Sequence, residues 1–435
     1  MKKLVLALLF VPLFTFASFT DLVEQQLENS SSYLSAILDY EEAEFNRSKN
    51  KNFFIPYVSV SNAGLETDIS STGDASSSFV APFSITFENI AGFDVQISNA
   101  WYYYFSSNDW KEKGWSLTIS RELFSNFDIT ELENEANFAT ASWNLLSAKN
   151  EVFLNLVEDI FNYHYYNQKM NITKQQIEIL QDKFESLQKA YESGTASRED
   201  ILEIQGNIYD MTQQLEEISQ NLSSTLTEYS TDTLNTMIAC LERITSNLPV
   251  MEEAEKFITS RLDLNAQILS AEIAKRQSER SYQQWIPNPE LFFQVKQKDD
   301  DFAFSLGFSF GYDIIDRGEK DYNYKVINKK YELQKRVLDE KTDELKKALK
   351  NAYSSIKIAE SSKKVAELDL QLKKMEYERL LKGSAFVAKT DLESARLDFE
   401  DAELELFKAN YNLLIAKVNL LDILGFDLVQ LAGGK

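Results

Sequence analysis

The chain has 435 residues but only one histidine, His164, and one cysteine, Cys240. Zinc centres draw on several His or Cys ligands, and acyl-transfer triads need a base beside their nucleophile, so neither chemistry has its residues here. His164 lies in "FNYHYY" and reads as a packing residue. Cys240 has no partner for an internal disulfide. No glycine-rich phosphate loop is present. Carboxylates are abundant, with 68 Asp and Glu against 45 Lys and Arg and a net charge of −23. A carboxylate pair can hydrolyse glycosides, but nothing in the pattern places one in a cleft. The other use of concentrated carboxylates is to attract cations. Carboxylates follow both Gly194, at Asp200 and Glu203, and Gly383, at Asp391 and Glu393. The charge argues against nucleic acid, whose phosphates need a basic face, and against docking on anionic head groups. The expectation is a protein that is not an enzyme, with no catalytic residue, cofactor or metal.

Long helices must position these carboxylates. Glycine (13 residues) and proline (6 residues) are scarce, and long stretches without breakers predict helices over about 126–193 and 316–382. Ser125, Asn126 and Asp316 suit their N-caps, and Gly194 and Gly383 their C-terminal stops. At about 1.5 Å per residue each would be a rod about 100 Å long. Shorter helices return over 198–229 and 390–424. The second keeps a strict heptad: Leu392, Phe399, Leu406, Leu413 and Leu420 form one seam, and Ala395, Ala402, Ala409 and Ala416 another. Such a repeat under-winds the helix into a left-handed supercoil, and alanine lets a neighbouring backbone come close. In the first long helix the seam is Leu156, Tyr163, Met170, Ile177, Phe184 and Tyr191. In the second it is Leu345, Ala352, Ala359 and Ala366 beside Leu349, Ile356 and Leu370.

Two regions alternate with period two and read as strands: 53–124, with four strands, and 287–313, with two. Aligning Leu117 with Leu306 also aligns Gly194 with Gly383, a constant offset of 189. The plan is therefore an internal duplication. Residues 18–229 form one repeat (helix, strands, long helix, return helix), 230–258 a linker, 259–425 the second repeat and 426–435 a tail. Residues 1–17 read as a secretory signal peptide, with Lys2 and Lys3 before an apolar run and Ala17 at the cleavage site. No cysteine follows that would be acylated.

So few strands in one chain leave open edges, which several chains together would close. The strands are about long enough to cross a bilayer at a tilt. Trp101, Tyr102, Tyr103, Tyr104, Phe105, Trp110, Trp115 and Trp285 cluster near strand ends. Two readings fit them: an aromatic girdle at the membrane–water interface and the core of a β-sandwich.

The sequence resembles the TolC-like outer-membrane efflux channels over essentially the whole mature chain. The resemblance rests on the duplicated plan and the two turns "YESGTASREDILEIQGNIYDM" and "LLKGSAFVAKTDLESARLDFEDAELELFKANYNLL", in which Tyr191, Gly194 and Asp200, then Gly383, Asp391, Leu392 and Ala395, match the family pattern. The closing "NLLDILG" matches as well. It implies a mostly α fold with β: long antiparallel heptad helices forming a periplasmic tube, and a transmembrane β-barrel shared between three chains. The implied assembly is a homotrimer in outer-membrane lipid that conducts substrates passively. A periplasmic adaptor and an inner-membrane transporter would dock at the turn tips, Gly194 and Gly383. In the family a ring of aspartates narrows the entrance. Asp391 matches it, while the second family aspartate falls on Ser394, with Glu393 beside it. Asp200, Glu203 and Arg198 are the corresponding charges of the first turn, and Arg198 and Lys389 are candidates for gate-holding ion pairs. Two departures stand out. The family usually has two strands per half, twelve per trimer, whereas six per chain would give eighteen; the extra pair, Phe79 to Phe105, is either barrel wall or an outer hairpin. The second turn spans eight positions from glycine to aspartate, against six in the first. The rival reading is a secreted periplasmic coiled-coil scaffold or adaptor without a pore.

Overall fold

The computed structural model describes residues 19–51, 54–69, 75–90, 92–224, 227–298, 301–384 and 387–433. The signal peptide predicted at 1–17 lies outside the described residues, as do Asp299 and Asp300. In chain order the elements are α1 (Phe19–Asn29), α2 (Ser31–Lys51), β1 (Tyr57–Val60), β2 (Gly64–Ile69), β3 (Ala75–Ile90), β4 (Phe93–Tyr104), β5 (Asp109–Glu112), β6 (Ser116–Glu122), α3 (Phe127–Glu192), α4 (Arg198–Ser224), α5 (Thr231–Ile244), α6 (Met251–Thr259), α7 (Leu262–Glu279), β7 (Glu290–Lys298), β8 (Asp301–Ser309), α8 (Glu319–Lys382), α9 (Lys389–Ile423) and α10 (Leu428–Ala432). The two long helices expected from the sequence are α3, with 66 residues, and α8, with 64. Contacts divide the chain into two compact units, and each takes pieces from both repeats.

One unit, Leu38–Ser142 with Leu262–Lys341, holds the whole sheet. Every pairing in it is antiparallel, in the order β1-β3-β4-β6-β7-β8, with β2 also on β3 and β5 also on β4. The first strand region therefore forms four rows rather than four unbroken strands. Its outer row is interrupted at Asn62 (φ 53°), and its fourth is interrupted at Gly114 (φ 92°). A side chain at Gly114 would put its Cβ 2.7 Å from the Gln297 carbonyl oxygen, so only glycine fits where the rows meet. Below the sheet α2, the start of α3, α7 and the start of α8 are joined by polar side chains. Asp128 accepts from both Arg276 (3.0 Å) and Arg280 (2.6 Å), which holds its carboxyl below the usual carboxylate range, Arg280 being the larger cause. Arg47 reaches Glu135 (2.7 Å) and Ser278 reaches Asn328 (2.5 Å). Asp316 caps α8, accepting from the backbone N–H of Gly318 and Lys320.

The other unit is helical. Its core joins Phe19 and Val23 of α1, Phe153, Val157 and Ile160 of α3, Met237 and Leu241 of α5, Val418 and Leu421 of α9, and Leu428 and Val429 of α10. Buried Asn150 ties α10 in place. It donates to Asp422 (2.7 Å) and to the Phe426 carbonyl (2.9 Å), and it accepts from the Leu428 N–H (3.0 Å). Lys149 adds an ion pair to Asp427 at 2.8 Å.

The seams expected from the sequence are buried in part: Leu345, Leu349, Ala352 and Ile356 on α8 and Leu156 on α3 are buried as expected. On α9 the alanines Ala395, Ala402 and Ala409 are buried, together with an unanticipated heptad line, Leu397, Leu404, Tyr411 and Val418. Of the large seam Leu420 is buried, whereas Leu392, Phe399, Leu406 and Leu413 are only half-buried. On α3 the buried line is Tyr165, Ile172 and Ile179, whereas Tyr191 is exposed. On α8 a stripe of Ile358, Val365, Leu368, Leu372 and Met375 is exposed. These helices carry more than one apolar seam, and a heptad alone does not say which one meets the chain's own neighbours.

Candidate functional site

The two turns end their helices differently. After α3, Gly194 is left-handed (φ 82°), and the Thr195 N–H reaches the Ala190 carbonyl at 2.8 Å, a Schellman-type stop. Gly383 does not take a left-handed φ; its N–H bonds the Arg379 carbonyl and the Ser384 N–H bonds the Leu381 carbonyl. The second connection is one residue longer, 383–388 against 193–197.

The first-turn carboxylate Asp200 closes a capping box with Ser197. It accepts from the Ser197 N–H and hydroxyl (both 2.8 Å), while its own N–H donates to the Ser197 hydroxyl (3.1 Å). The Ser197 backbone bond, followed by the hydroxyl, lowers its pKa. Arg198 and Glu203 are exposed, and among the described residues neither joins an ion pair. In the second turn the N-cap is Ala388, with no side-chain capping bond. Asp391 instead pairs across the helices with Lys183 of α3 at 3.1 Å. Lys389 pairs only with Glu393, one turn along the same helix, at 3.6 Å. Ser394 is half-buried on the face that Asp391 begins.

Lys183 was not singled out by sequence reasoning, and it opens a longer ladder between antiparallel α3 and α9. Next comes Arg396 donating to Gln175 (3.0 Å), then Lys169 with Asp401 (2.5 Å) and Glu405 (3.6 Å). Tyr165 follows, donating to Glu405 at 2.7 Å and accepting from Lys408 at 3.3 Å. Burial, followed by Glu405, pushes the Tyr165 phenol pKa up. Beyond it the contact becomes aromatic: Phe161 stacks on Tyr411 (3.6 Å) and on Phe407 (5.4 Å). Asp398, on the same acidic line, meets Lys373 of α8 at 3.8 Å; burial is the main cause that raises its pKa. The α3–α9 seam is thus ionic toward the turns and apolar away from them. The sequence signal for it was an acidic heptad line, Asp391, Asp398 and Glu405, whose first and last members meet Lys183 and Lys169 of α3.

The sheet has two unlike faces. Directly paired residues share a face. One line runs Val58, Ile85, Ile97, Leu117, Val295, Phe304, and the next Phe87, Val95, Ile119, Phe293, Leu306. The opposite face reads Tyr57, Thr86, Gln96, Thr118, Gln294, Ser305 and Ser59, Ser84, Ser98, Ser116, Lys296, Ala303. Its hydroxyls and amides bond one another: Ser59 with Ser84 (2.8 Å), Ser98 with Ser116 (2.7 Å), and Gln294 to Thr118 (3.0 Å). On the apolar face Val58, Phe293, Phe302, Phe304, Leu306 and Phe308 are exposed, while Ile85, Phe87, Val95, Ile97, Leu117, Ile119 and Val295 are half-buried. Aromatics flank this band. Trp101 and Trp110 are exposed above it, with Tyr103 5.1 Å from Trp110, and the Arg121 guanidinium lies 5.2 Å from the Phe93 ring below it. Tyr102 and Tyr104 fall on the polar face. Among the described residues nothing packs over the nonpolar face as the second layer of a sandwich would. Among the described residues no helix is long and apolar enough to cross a membrane.

No protein-family model and no curated relative matches the sequence. Solved structures do match. The open-state MtrE outer-membrane channel of Neisseria gonorrhoeae aligns at 16% identity over 95% of this chain and 90% of its own, with a TM-score of 0.60. The CmeC outer-membrane channel of Campylobacter jejuni aligns at 14% identity over 94% and 85%, with a TM-score of 0.60. The outer-membrane protein VceC of Vibrio cholerae aligns at 12% identity over 94% and 96%, with a TM-score of 0.54. The chain has the fold of these TolC-like outer-membrane channels.

Proposed function

We propose that the protein is the outer-membrane channel of a tripartite efflux or secretion system. Three copies would share one β-barrel in the outer membrane and continue as a helical tube in the periplasm. Substrates would pass by diffusion, with no chemical step, after a periplasmic adaptor and an inner-membrane transporter dock at the helical turns. The observation that carries this reading is the two-faced sheet. An uncovered apolar face between aromatic flanks suits lipid, and a hydroxyl and amide face suits a water-filled lumen. The sheet's edges, β1 with β2 on one side and β8 on the other, would pair between copies. The exposed stripe on α8 and the half-buried large seam of α9 give each copy apolar surface for its neighbours.

The gate in this reading is the ionic end of the α3–α9 seam. Closed helices are held by Lys183–Asp391 and Lys169–Asp401, and opening slides α9 off α3 near the turns while the Phe161–Tyr411 stack stays. Three Asp391 carboxylates would converge at the entrance, each partly compensated by Lys183. The test is reconstitution. The detergent-purified protein should insert in planar bilayers and show discrete conductance steps. A protein that is soluble without detergent and leaves bilayers silent would instead be the pore-less scaffold.

A further inference from the structure

The β3–β4 hairpin sits in the middle of the sheet, not at its edge. β3 pairs with β1 on one side and β4 pairs with β6 on the other. The apolar line from Val58 to Phe304 passes through Ile85 and Ile97 of this hairpin without a change of face or polarity. The hydroxyl lines on the opposite face pass through Ser84 and Ser98, and through Thr86 and Gln96, in the same way. A hairpin standing in water on both sides has no need of that alternation, and its removal would leave β1 without its neighbour. The span is also right. Phe93 to Tyr103, between the two aromatic flanks, is ten steps along β4, about 33 Å along a strand and about 25 Å in height at a tilt near 40°.

We propose that this hairpin is barrel wall, so that three chains close eighteen rows and the exit admits bulky solutes with size, rather than charge, as the limit. The inference rests on the channel reading. Rows about 4.8 Å apart, tilted near 40°, give eighteen of them a backbone diameter of about 36 Å, against about 24 Å for twelve. With side chains about 5 Å deep on each wall, the openings become about 26 Å and about 14 Å. The first passes a folded polypeptide hairpin or a similarly bulky solute, which the second excludes. Within the band the lumen-facing side chains are largely hydroxyls and amides, and Asp94 and Lys296 contribute one charge of each sign per chain, so the barrel adds little net charge there.

Alternating accessibility tests this in proteoliposomes with a membrane-impermeant maleimide. The native Cys240 is buried. Single cysteines at Ser84→Cys and Gln96→Cys should label, while labelling should be lost at Ile85→Cys and Ile97→Cys. Phe293→Cys and Gln294→Cys, on β7 outside the hairpin, report the barrel itself. If Ile85→Cys and Ile97→Cys label as readily as Ser84→Cys while the β7 pair still alternates, the hairpin lies outside the membrane and the wide exit is refuted. If the β7 pair fails to alternate, the channel reading falls with it. Projection images of the particle give the diameter independently: a barrel near 24 Å across its backbone overturns the proposal even with the trimer intact.

Discussion

Replacing Lys169 with Met should open the channel far more than replacing Lys183 with Met, although Lys183 is nearer the turns. Lys183 and Asp391 are 3.1 Å apart with side chains 31% and 55% exposed. An ion pair this wet is worth about 0.5 kcal/mol. Lys169 is 23% exposed, lies 2.5 Å from Asp401 and 3.6 Å from Glu405, and shares Glu405 with the Tyr165 hydroxyl. A charge-assisted bond in that setting is worth about 2 kcal/mol, and its loss leaves two carboxylates side by side. If three copies open together the differences triple, to about 1.5 kcal/mol for Lys183→Met and about 6 kcal/mol for Lys169→Met. At about 1.4 kcal/mol per decade these shift the opening equilibrium about tenfold and about ten-thousandfold. The assay is open probability of single channels in planar bilayers at low voltage. Raising salt from about 0.1 to 1 M shortens the screening length from about 10 to 3 Å, and should mimic Lys183→Met better than Lys169→Met. A Lys169→Met channel as closed as the wild type, or a Lys183→Met channel more open than the Lys169→Met channel, would refute the ladder as the gate.

Asn150→Leu should cost about 3–5 kcal/mol, because it strands the Leu428 N–H, the Phe426 carbonyl and the Asp422 carboxylate where α10 docks; an unchanged thermal midpoint or unchanged protease resistance of the C-terminal segment would contradict it. Lys183→Met should strengthen divalent-cation block of the single-channel current by freeing Asp391, and Asp391→Asn should weaken it; equal block in both variants would remove this carboxylate from the entrance. Asp128, held low by Arg280 and Arg276, contributes stability that is present above about pH 4 and is lost as pH falls through its lowered folded value. Asp128→Asn should therefore reduce stability at neutral pH and flatten the acid limb of the unfolding curve, and a parallel shift of the whole curve would argue against that assignment.

Periodicity is a local property, and what depends on it was legible in the residues themselves. The heptads of α3, α8 and α9 and the alternation of the strands follow from how side chains repeat along a helix or a strand, and the constant offset between the halves from the duplication. Gly194 and Gly383 could both be read as helix stops, and only Gly194 takes the left-handed conformation. What tertiary structure alone decided was register between segments far apart in the chain. Asp391 meets Lys183 and Asp401 meets Lys169 only because antiparallel α3 and α9 settle at one relative height. That height is set by packing such as Phe161 on Tyr411, a contact that neither helix encodes alone. The same holds for the choice of the Leu397, Leu404, Tyr411 and Val418 line as the buried seam. Several apolar stripes compete on each helix, and only the set of neighbours present in the folded chain determines which of them leaves water.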